Sequence, residues 1–137
     1  MTIPNKSRFA AVAIIASFAA SGPIFAHHSF SLEFDANKQV IFKGVVTKVE
    51  WMSPHVYFYL DVKEGPSKAV NWVFESAGPN ALARRGWNRN SLKIGDRITV
   101  VGYRAKDDVN VASAREVMLA DGRKVVAASP NDDGPQF

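Results

Sequence analysis

The sequence predicts an all-β domain with one short helix. Several runs alternate apolar and polar residues at period two, the signature of half-buried strands. One stretch alone has helical character, and it falls between the third and fourth of those runs. Cysteine is absent, so an ordinary apolar core has to hold the domain together, without disulfides or a thiolate metal site. Three strands, a helix and then two or three strands is the element order of an OB-fold-like small β-barrel. A small β-sandwich is the alternative architecture for the same elements.

The first 26 residues are read apart from the fold. "MTIPNKSR" carries Lys6 and Arg8 and no acid, and the apolar run "FAAVAIIASFAA" follows. This is the layout of a secretory signal peptide. The run is shorter than the roughly 20 residues a membrane span needs, and "SGP" after it suits a cleavage region. The expectation is therefore an exported, periplasmic protein, cleaved after Ala26 and not membrane-spanning afterwards. Cuts after Ala19 or Gly22 are the alternatives. The domain expected to remain is 27–127, followed by a tail, 128–137. The whole chain has 17 basic and 13 acidic residues, a formal charge of +4. Two of those bases lie in the leader, so its loss leaves +2. A charge so small gives no reason to expect a nucleic-acid partner.

The strands follow in order. "QVIFKGVVTKVEW" puts Val40 and Phe42 on one face before Gly44, and Val45, Val49 and Trp51 on odd positions after it. A bulge at Gly44 would keep both sets inward. In "HVYFYLDVK", Val56, Phe58, Leu60 and Val62 alternate with polar or amphipathic residues. "AVNWVFE" aligns Val70, Trp72 and Phe74, and "DRITVVGYRA" aligns Ile98 and Val100. A fifth strand from about Ala112 to Leu119 meets "RKVVA" through Asp121-Gly122, a hairpin-turn dipeptide. The helix is "GPNALARRGW": Pro79 suits its first turn, Gly86 its end, and Arg84 and Arg85 complement the dipole at its C-terminus. Gly95 in "SLKIGD" is placed for a positive φ. Ahead of these strands, "FSLEFDANK" alternates Phe30, Leu32 and Phe34 and is expected to pack extended along the barrel. The tail "ASPNDDGPQF" is polar and rich in proline and glycine, and its composition predicts disorder.

Taken together, "AHHSF", "FKGVVTKVEWMSPHVYFYLDV", "NWVFESAGPNALARRGWNRNSLKIGD" and "VGYRAKD" resemble an uncharacterised family of small exported proteobacterial proteins. The resemblance spans roughly His27 to Val126. It implies export and a small β-barrel, and it brings no established activity. Similar sequences commonly have Asn-Pro-His where this chain has Ser53-Pro54-His55.

The three histidines fall in two places, His27-His28 at the expected mature start and His55 between the first two strands. As polar residues they are a frayed terminus and a loop histidine that bonds its own turn. As ligands they are more: a mature His27 would offer its free amine and its ring as one chelate, with His28 or His55 completing a three-nitrogen site. Copper suits tetragonal nitrogen ligation and tops the divalent affinity order, and zinc is the rival ion. Met52 is a candidate thioether ligand for copper(I), and otherwise an apolar loop residue. The lack of a cysteine excludes a blue-copper centre. No nucleophile elbow, phosphate loop or zinc-protease motif occurs, and no enzymatic activity is expected. A second function class is a metal-free binding or scaffolding module. Trp51, Tyr57 and Tyr59 would then meet an envelope glycan, a small ligand or a protein, while Trp72, Phe74 and Trp87 are read as core.

Overall fold

The computed structural model describes residues 29–107 and 109–136. In chain order it contains α1 (Phe30–Glu33), β1 (Phe34–Glu50), β2 (Tyr57–Lys63), β3 (Ala69–Glu75), α2 (Pro79–Arg84), β4 (Arg97–Ala105), β5 (Val111–Met118) and β6 (Lys124–Val126). All six strands belong to one sheet. β1 pairs antiparallel with β2 on one edge and with β4 on the other. β2 continues to β3, and β4 to β5. A short parallel pairing of Val73–Glu75 with Val111–Ser113 then joins β3 to β5 and completes a ring of hydrogen-bonded strands. This is the OB-like arrangement, with one sheet curling on itself and, among the described residues, no second sheet facing it.

Alternation builds the core as the sequence implies. Val56, Phe58, Leu60, Trp72, Phe74, Val100 and Val117 point inward and are almost wholly buried. Each such side chain contributes on the order of 1.5–3 kcal/mol when fully buried. α2 starts with Pro79 at its first turn and stops at Gly86, whose φ is +86°. Its Leu82 and the following Trp87 plug the same core, so the reading of Trp72, Phe74 and Trp87 as core residues is correct. Among the described residues, no helix is long and apolar enough to cross a membrane.

The sequence misplaces two features of the first strand. β1 begins at Phe34, ahead of the run that starts at Gln39, and its register shift against β2 falls between Val46 and Lys48, not at Gly44, with a further irregularity against β4 between Phe34 and Gln39. Gly44 pairs regularly with Val62 and Ile98. Its role is close approach, since a Cβ there would stand 2.8 Å from the Asp61 carbonyl oxygen. The inward face therefore runs Val40, Phe42, Val46 and changes parity only afterwards, at Val49 and Trp51.

A second, smaller cluster forms on the outer side of β4 and β5 from Phe30, Phe34, Tyr103 and Ala105. Phe30 and Phe34 stack with ring centroids 5.5 Å apart, while Leu32 is 72% exposed. The extended packing expected for 30–38 holds from Phe34 onward, inside β1, and is corrected over Phe30–Glu33 to a single helical turn, which brings Phe30 and Phe34, four residues apart, together. The polar tail, for which composition predicts disorder, returns to this cluster. Arg115 of β5 is wholly buried and donates to Asp132 of the tail. Gly134 lies so close to Arg115 and Phe30 that no side chain fits.

Candidate metal centre

His55 sits in the link between β1 and β2, after a cis Ser53-Pro54 peptide. The chain here is stitched to the end of β3. Val56 N–H donates to Ala77 O at 3.1 Å, and Ser76 donates to Val56 O from both N–H (2.9 Å) and hydroxyl (2.8 Å). Gly78 passes close to the Pro54 carbonyl, where a Cβ would come within 2.5 Å. These contacts fix the histidine's backbone against β3.

The ring is fixed as well. His55 Nδ1 lies 3.0 Å from Ser76 O. A carbonyl oxygen can only accept, so Nδ1 carries a proton, and in the neutral imidazole Nε2 is then the nitrogen with the lone pair. That Nε2 faces Glu75 Oε1 at 3.7 Å, too far for a hydrogen bond. The other carboxylate oxygen, Oε2, accepts from the Tyr57 hydroxyl at 3.1 Å. Tyr57 and Glu75 are direct partners in the β2–β3 ladder. Burial, reinforced by the negative charge of Glu75 and the bond to it, pushes the Tyr57 hydroxyl up to about 12.

His55 and Glu75 line a cavity of about 230 Å³. Ser29, Phe30 and Phe34 form its N-terminal wall, and Ser129, Asn131, Asp132 and Asp133 of the tail form another. Asp132 is engaged by Arg115. Asp133 accepts from Ser31 N–H at 3.1 Å, and hydrogen bonding from Ser31 holds its carboxyl below the ordinary carboxylate range. Among the described residues, no group of three or more histidine, cysteine, aspartate or glutamate side chains is arranged to hold an ion. His55 Nε2 and Glu75 Oε1 face each other at a distance that makes an ion pair when the imidazole is protonated.

The predicted site residues separate on this frame. His27 and His28 lie outside the described residues. His55 is at the cavity wall. Met52 is 50% exposed and is not part of that wall. Trp51 packs half-buried against the main core. Tyr57 turns to Glu75, and the Tyr59 hydroxyl donates to Glu50 Oε2 at 2.9 Å while Lys48 Nζ stands 4.9 Å from its ring centroid. Both tyrosine hydroxyls thus have carboxylate partners within the fold. Glu75 escaped the sequence reading. The β2–β3 pairs are symmetric about Pro66, so placing the turn at "EGPSK", centred on that proline, would have set Glu75 opposite Tyr57.

Comparison with curated proteins and with solved structures found no match. The family model of DUF6152, a family of unknown function, matches residues 14–113. That span is more than half of the chain, and the protein therefore belongs to this family.

Proposed function

We propose that this protein is exported to the periplasm, that cleavage after Ala26 leaves His27 as its first residue, and that it binds copper through that residue and His55. The binding serves metal handling or sensing and involves no turnover. The observation that carries the reading is that Ser29 and His55 line one cavity. Ser29 follows His28 directly, and consecutive Cα atoms are about 3.8 Å apart. The terminal amine and the rings of His27 and His28 are therefore attached within two residues of the cavity wall.

The donor set fits the ion. His55 offers Nε2 in its neutral form because Ser76 O holds the proton on Nδ1, an outer-shell bond that fixes the tautomer and orients the ring. An amine, the ring of His27 and this Nε2 make three nitrogens, the ligation copper(II) favours. Zinc is the rival ion.

Titration of the mature protein with copper(II) and with zinc, beside His55→Ala, tests the proposal. One tightly held copper(II) per chain is expected, with zinc weaker and His55→Ala at least tenfold weaker for copper. Equal, weak binding by both proteins would reject it and favour a metal-free binding module.

A further inference from the structure

We propose that the outer face of β1, β2 and β4 holds a second binding site, a groove that takes the phosphate group of a sugar-sized phosphomonoester. Leu60, Val62, Ile98 and Val100 point into the core, so the residues alternating with them face outward. Lys43, Asp61, Lys63, Arg97 and Thr99 line a groove of about 830 Å³ on that side. Small-molecule sites have volumes of this order. None of the lining residues belongs to the cavity of His55, so the inference stands apart from the copper reading.

Charge identifies the ligand class. The register that sets Val45 against Asp61 and Gly44 against Val62 brings Lys43 level with Lys63. On the other side of β1, Arg97 pairs with Val45 and Thr99 with Lys43. Residues level on adjacent strands have Cβ atoms about 5 Å apart, and like charges so placed destabilise a sheet. Lys38, Lys48, Arg115, Arg123 and Lys124 each face a carboxylate within the fold. Among the described residues, Lys43, Lys63 and Arg97 have no such partner. Asp61, the acid of the groove, accepts instead from the amide of its cross-strand partner Asn71 at 2.8 Å.

Three cations and one carboxylate leave two positive charges in the groove. A phosphomonoester matches them with a charge of about −1.5 to −2 at pH 7, whereas a single carboxylate supplies half of that. Arg97 adds a planar fork for two phosphate oxygens, and the lysines act as point charges. A lone phosphate fills only a small part of the groove, since each water of the liquid takes about 30 Å³. The rest of the lining, Val45, Ala69 and the Thr99 hydroxyl among it, is mixed apolar and polar, as a sugar ring is.

Isothermal titration calorimetry of the full chain at low ionic strength tests the proposal, with glucose 6-phosphate, inorganic phosphate, galacturonate and glucose as probes. Glucose 6-phosphate should bind once per chain, inorganic phosphate and galacturonate at least about fivefold more weakly, and glucose not at all. Lys63→Gln and Arg97→Gln should each lose about tenfold or more in affinity for the sugar phosphate. Lys124→Gln, on β6, should stay within about twofold of native. All three positions are exposed, and the variants should keep the native circular dichroism spectrum. The thermal midpoint of Lys63→Gln should be no lower than native, because the opposition to Lys43 is relieved. No histidine lines the groove, and the ester's second ionisation lies near pH 6, so affinity should rise severalfold from about pH 5.5 to about pH 7.5. Equal affinity in the native protein and both groove variants, or a native protein that takes up no glucose 6-phosphate, would overturn the inference. Inorganic phosphate or galacturonate binding as tightly as glucose 6-phosphate would overturn the sugar phosphate as its ligand.

Discussion

Arg115 donates from one guanidinium nitrogen to both carboxylate oxygens of Asp132, at 2.9 and 2.8 Å, and the arginine has no exposed surface. Its guanidinium carbon lies 4.2 Å from the centroid of the Phe30 ring. Among the described residues, its Nε and Nη2 have no hydrogen-bond partner. Compensation for this buried charge therefore rests on one aspartate in the tail and one aromatic face near the start of the domain. Through that pair the two ends of the described chain meet beside the cavity of His55.

Removing the aspartate should be costly. Asp132→Asn leaves a buried charge uncompensated, and breaking such a pair costs about 3–5 kcal/mol. Urea denaturation should show that loss, and Arg115→Met/Asp132→Asn should recover much of it by removing the charge as well. A loss below about 1 kcal/mol, the scale of an exposed ion pair, would mean that the tail does not neutralise the arginine.

Gly134 gives an independent handle on the same contact. A Cβ at this position would land on the Arg115 guanidinium and the Phe30 ring, so Gly134→Ala forces the tail to shift. Overpacking of this kind costs about 1–3 kcal/mol. Limited proteolysis should then trim the variant after Ala128 faster than the native chain, and intact mass would record the cut. Equal trimming would show that the tail does not depend on this fit.

How far the sequence could be read follows from which signals are local. β2 and β3 were legible because Val56 to Val62 and Val70 to Phe74 alternate without interruption. The shift in β1 was not, because Val45 and Val46 are both apolar and either parity could continue from Phe42. At the start of the domain, Phe30 and Phe34 satisfy a period of two and a period of four alike. Leu32 alone discriminates, and its exposure decides for the helical turn. Asp132 gave no local sign of its partner 17 residues earlier. Glu75 reads as the polar end of a strand until the hairpin register sets it against Tyr57. His55 was visible as a histidine, but its tautomer depends on a carbonyl 21 residues away.

Tyr57 should titrate late. Burial, with the adjacent Glu75 carboxylate, raises its hydroxyl to about 12 from an ordinary value near 10. A raised folded-state value means that folding favours the protonated form. The associated stability is present below pH 10 and is lost as pH rises through about 12. Tyrosinate absorbance of the metal-free protein should show a step near pH 12 that Tyr57→Phe abolishes. An unchanged titration in that variant would place Tyr57 outside the hydrogen bond to Glu75.

The proposed terminus admits the sharpest test of the metal reading. If His27 supplies both amine and imidazole, one added glycine before it moves the amine away from the ring while every side chain and the strand ring stay as they are. Copper(II) affinity should then fall by at least tenfold, although the far-ultraviolet spectrum and thermal midpoint remain native. His28→Ala should matter less if its ring points away from the cavity. The mass of protein recovered from the periplasm fixes the starting point, because a chain beginning at Ala20 or Pro23 places no free amine beside the His27 ring. Beginning at His27, with a Gly-extended variant that binds as tightly as native, the chelate would be refuted and only side chains such as His55 would remain as donors.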